Sequence, residues 1–210
     1  MEAKEIAHIL TAVLLMFAVS VFSFVFKGNF SRMLEVLVFS CIVVIIPVLF
    51  KKGSAYLLDS NVEHSLWGVY FYGYKPGKHF KEEKPFGILI PLALTVVTLG
   101  FFKTMTFLTY ETRALKHRVA KRFGYYSYSE MTDWHNALIG SAGVISLFLI
   151  VIVSYILGFE YLSKLAAYYA LFSILPISKL DGTQIFFGSR IIWTVLAFFS
   201  FLFSVYAFAL

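Results

Sequence analysis

The sequence predicts an all-α polytopic membrane protein of about six transmembrane helices, and three observations carry that reading. Of 210 residues, 60% are apolar and only 14% charged, against roughly 45 to 50% and about 25% in ordinary globular domains. Mean hydropathy is +0.80. The apolar residues gather in six runs, 6–26, 33–50, 86–102, 137–159, 165–177 and 191–210, most of them close to the ~20 residues a helix needs to cross about 30 Å of hydrocarbon. None alternates as a barrel strand would, and hydrocarbon leaves no partner for an unpaired backbone amide, so the spans are predicted to be helices. This composition excludes a soluble enzyme domain, a disordered tail and a secreted disulfide scaffold; the one cysteine, Cys41, sits in an apolar run as a buried thiol.

Taken in order, residues 1–50 form two N-terminal transmembrane helices. The first resembles a signal peptide, but Glu2 and Glu5 offset Lys4 and the apolar core exceeds the usual ~7 to 15 residues, so a retained anchor is expected. Residues 51–85 form a polar and aromatic loop. Within it the β-prone stretch 69–74, the turn-forming Lys75-Pro76-Gly77-Lys78 and the return 79–83 predict a short hairpin at the membrane edge, read either as an interfacial aromatic belt or as a docking strand. Residues 86–210 hold the remaining four segments. The run 165–177 is too short to span unaided and must be shielded by protein or extended. Leu115, Val119 and Phe123 recur every four residues among basic side chains, predicting a basic interfacial helix over 109–124. The net charge of +6 fits loops facing anionic head groups, with the lipid bilayer as partner and no nucleic acid, while Lys and Arg divide too evenly to select an orientation.

Asp181 is the most informative polar residue. It follows Pro176 directly after the short fifth run, where a broken helix end lets a carboxylate enter a protein-lined cavity and bind a metal. Alternatively Asp181 and Gln184 have the spacing of a helix cap and its reciprocal partner, which needs no metal. Pro176 through Gly182, with Leu180-Asp181-Gly182 at its end, resembles the Leu-Asp-Gly motif of the site-2 protease family of intramembrane zinc metalloproteases. Ala142-Gly143 is similar to that family's Ala-Gly-Pro helix start, with Val144 in place of proline. Residues 119–124 resemble the tail that follows its His-Glu-x-x-His.

The resemblance implies a zinc-binding core in which Asp181 is a metal ligand, yet the motif that should supply the histidines is degenerate. Spacing back from Gly124 puts Thr112, Arg113 and Lys116 at the replaced positions, and a second register, on Glu111, puts Tyr110 and Ala114 at the histidines. A hydrolytic zinc site needs several metal-binding side chains and a water with its pKa lowered to about 7, whereas Arg113 and Lys116 would bring fixed positive charge. The expectation is therefore an inactive homologue without a cofactor, which binds a membrane helix or a membrane protein. The alternative is an active zinc protease with displaced ligands, Asp181 and His117 on the metal and Glu111 as catalytic base, although Glu111 and His117 would face different sides of an unbroken helix.

Overall fold

The computed structural model describes residues 3–26, 32–71, 79–100, 103–115 and 131–209. In chain order the elements are α1 (Ala3–Phe26), α2 (Met33–Leu57), β1 (Ser60–Leu66), β2 (Val69–Phe71), β3 (His79–Lys84), α3 (Phe86–Val97), β4 (Leu108–Ala114), α4 (Asp133–Ile156), α5 (Glu160–Ser173), α6 (Asp181–Gly188) and α7 (Arg190–Ala209).

Four of these helices, α1, α2, α4 and α7, are long and apolar enough to cross a membrane. The expected count of six falls to four among the described residues. The third run yields only the 12 residues of α3 and the fifth lies in the 14-residue α5, which rise about 18 and 21 Å against about 30 Å of hydrocarbon. Shielding of the fifth run is met: Leu165, Ala166, Ala167 and Ala170 are all but inaccessible within the bundle.

The all-α expectation also needs correction, because the chain between α2 and α4 forms two antiparallel strand pairs. The expected hairpin is present as β2 and β3, with Val69 opposite Lys84 and Phe71 opposite His79. β1 and β4 form a pair that the sequence pattern does not announce, running from Ser60 opposite Ala114 to Leu66 opposite Leu108. The basic interfacial helix over 109–124 is thereby overturned for its first residues. Leu108-Thr109-Tyr110 bring β-branched and aromatic side chains that bury in a pleated surface, with Glu111 turned outward. Residues 116–124 lie outside the described residues.

Helix α4 is the axis of the bundle, packed by α2, α5, α6 and α7. Its Leu147, Ile150 and Val151 join α1, α2, α5 and the Met105–Leu108 segment in one core, while Val144 meets Ile174, Ile185 and Leu196 in another. Close approach is built with small residues: a Cβ on Gly188 would stand 2.5 Å from that of Ala137 and collide with the Asp133 carbonyl oxygen. Leu149, Val153 and Ile156 on α4 and Phe198, Phe201 and Phe208 on α7 remain exposed on the outer faces, where only an apolar solvent would match them.

Candidate functional site

The site is a buried ion pair that joins the second helix to the Leu-Asp-Gly segment. Helix α2 continues past Phe50 to Leu57, which carries Lys51 inside the bundle at 5% exposure. Its Nζ lies 2.5 Å from Oδ2 of Asp181, itself 6% exposed. The Lys51 ammonium also stands 4.8 Å from the centroid of the Tyr110 ring, a cation–π contact that adds to the carboxylate's pull.

Each component is fixed from behind. Gly143 of α4 leaves room for the lysine stem, since a Cβ there would run into Lys51 Cε. Gly140, one turn earlier, gives way to the Tyr110 hydroxyl, which donates to the Asn136 carbonyl at 2.6 Å. Burial pushes the Tyr110 phenol well above its usual pKa, so it stays a donor. Gln184 Nε2 donates to the Tyr110 carbonyl at 2.7 Å, tying α6 to β4. Gly182 lets α6 abut the end of α5, where a Cβ would overlap the Ile174 carbonyl oxygen. The turn into α6 holds Ser178 at φ +53°, a conformation that a non-glycine residue adopts only when its surroundings impose it.

Several sequence expectations change against this geometry. Asp181 does not cap α6: Leu180 is the N-cap residue with no side-chain bond, and Asp181 and Gln184 reach Lys51 and Tyr110 instead. Thr112 and Arg113 lie on extended β4, where residues i and i+4 share a face but stand about 13 Å apart, too far to meet on one metal ion as they do on a His-Glu-x-x-His helix; Lys116 lies outside the described residues. The second register fails likewise, since Tyr110, Glu111 and Ala114 share that strand. Ala142 and Gly143 lie in the middle of α4 rather than at a helix start. Glu111 is exposed, 4.0 Å from Lys179, while Arg113 pairs with Glu63 at 3.2 Å on the surface. Asp181 and Glu111 are therefore turned to different cations, and His117 is outside the described residues. Among the described residues no three His, Cys, Asp or Glu side chains converge as a metal cluster.

A second buried polar cluster adjoins the first, and sequence reasoning misses it. Glu5 of α1, 4% exposed, accepts from Lys52 Nζ at 2.8 Å and from the His64 backbone amide at 3.1 Å, and its Oε1 lies 3.1 Å from His64 Nδ1. Burial, reinforced by the charge of Lys51, lowers the His64 pKa to about 3, so the ring is neutral and donates Nδ1–H to the carboxylate. The adjacent lysines Lys51 and Lys52 at the end of an apolar run are the available signal, because charge retained inside a helix of this kind calls for partners.

Comparison of the chain with protein-family models, curated proteins and solved structures gives no match.

Proposed function

We propose that this is an integral membrane protein with a site-2-protease-like core that holds no zinc and binds a membrane-anchored partner without hydrolysing it. The observation that carries the reading is Lys51 Nζ on Asp181 Oδ2, both buried. Laid on α2 from Lys51, the spacing of His-Glu-x-x-His places Lys51 and Ala55 at the histidines and Lys52 at the glutamate. This register is proposed in place of the one at Thr112, Arg113 and Lys116, because it lies on a helix whose Lys51 meets Asp181. The donor set does not fit the metal: an ammonium and a methyl group offer no lone pair, and a fixed cation at this distance opposes a second, divalent one in a low-dielectric interior. The lysine supplies the positive charge that the aspartate would otherwise draw from an ion.

Partner binding is placed at the cleft between the β2–β3 hairpin and the turn before α6, about 400 Å³ lined by Gly68, Val69, Tyr70, Glu83, Ser178 and Lys179. Lys179 Nζ, 3.7 Å from Glu83, bridges its two walls. An extended segment at the membrane edge would add to a hairpin edge through main-chain hydrogen bonds. The test reconstitutes the protein with a single-span reporter bearing an extended juxtamembrane segment, and places a photocrosslinker at Tyr70. A crosslinked, uncleaved reporter is expected; a cleaved one, or no crosslink, contradicts the proposal.

One observation favours the alternative zinc protease: Asp181 Oδ1 is buried without a hydrogen-bond partner among the described residues, which leaves a lone pair open. On that reading Asp181→Ala abolishes reporter cleavage.

A further inference from the structure

Apart from the Lys51–Asp181 pair, two cavities meet at one residue. A groove of about 530 Å³ runs between α2 and α4, lined by Val38, Ile42, Phe50, Leu149 and Val153 among others, and a second cavity of about 460 Å³ contains Arg32, Glu35, Glu160 and Lys164. Phe159 lines both. The groove is apolar because its hydroxyls are internally satisfied: Ser146 and Ser154 donate to carbonyls of their own helix at 2.6 Å. From Val38 to Phe50 it rises about 18 Å along α2, close to one leaflet of a hydrocarbon core about 30 Å thick. The charged cavity starts one helical turn beyond Val38.

We propose that this composite cavity binds one glycerophospholipid whose headgroup pairs a phosphate with a primary ammonium, with an acyl chain in the α2–α4 groove. Arg32 and Lys164 face the phosphate, and Glu35 and Glu160 the ammonium. Charge complementarity selects this occupant. Two cations and two carboxylates balance, so an anionic headgroup meets repulsion from the glutamates, whereas a quaternary ammonium has no N–H to donate to them. A membrane helix would continue across both leaflets, but the groove's apolar length covers one. Among the described residues none of the four charged side chains forms an ion pair within the chain, which leaves them to a ligand.

The test is native mass spectrometry of the intact chain released from nanodiscs holding equal amounts of phosphatidylethanolamine, phosphatidylcholine and phosphatidylglycerol. One retained phosphatidylethanolamine per chain is expected, enriched about fivefold over the others, the factor one exposed ion pair supplies. Glu35→Gln with Glu160→Gln, both surface changes, should move the preference to phosphatidylglycerol. Val153→Trp, which fills the groove from an exposed position, should lower retention of every lipid. No retained lipid, equal retention of all three, or a preference unmoved by the double substitution would overturn the proposal.

Discussion

Lys51 and Asp181 hold each other's charge inside the protein, so removing one strands the other. Lys51→Met is expected to lower unfolding stability by about 3 to 5 kcal/mol, because it leaves a buried carboxylate without a counter-charge, and adding Asp181→Asn should recover most of the loss. Denaturant titration in detergent of the single and double variants checks this; simple additivity would show that the two groups do not interact. His64 gives the neighbouring cluster a pH signature. Its folded pKa of about 3 lies below the ordinary value of 6.5, so between those limits the unfolded chain takes up a proton that the folded one refuses. Stability from this group is therefore full above pH 6.5 and declines as pH falls toward 3, by at most about 1.4 kcal/mol per pH unit. Glu5, Lys51 and Lys52 face the ring and modulate the slope. Thermal unfolding from pH 7 to 4 should show the decline in the wild-type chain and a shallower one in His64→Gln; parallel curves would contradict the assignment.

At the level of helices, three glycines separate packing from propensity. A Cβ added to Gly53 of α2 would have nothing within 4 Å, so Gly53→Ala should stabilise by about 0.5 to 1 kcal/mol through backbone entropy alone. Gly143→Ala meets the flexible Lys51 stem and should destabilise by about 1 to 3 kcal/mol. Gly182→Ala runs into the backbone carbonyls of Ile174 and Leu175, which cannot step aside, and should be the most damaging of the three. Melting temperatures in that order are the check, and a harmless Gly182→Ala would mean that α6 does not abut the end of α5. The same elements show what the chain discloses locally. Helices α1, α2, α4 and α7 were legible because continuous apolar runs of spanning length leave few other structures. The β2–β3 hairpin was legible from its turn chemistry. β4 was not, since the four-residue spacing of Leu115, Val119 and Phe123 carried the helical expectation back to Thr109, whereas Leu108 to Ala114 are held extended by β1, more than forty residues away.

For the molecule as a whole, the carboxylate at the centre was legible and its partner was not. Asp181 stood out because acids beside membrane helices need a reason to be there. By sequence Lys51 falls at the start of the polar loop 51–85, and only the extension of α2 to Leu57 and its packing on α4 at Gly143 reveal it as the group that faces Asp181. The proposed assembly thus has a clasped interior, a hairpin cleft at one edge and a lipid-sized groove on another face. The proposed function depends on an ammonium doing, opposite Asp181, what a metal ion would do in an intramembrane zinc protease. The direct test is the zinc content of the purified chain after reconstitution and equilibration with free zinc, wild type beside Asp181→Asn. The account predicts no zinc that depends on Asp181; one zinc per wild-type chain, absent from the variant, would contradict it.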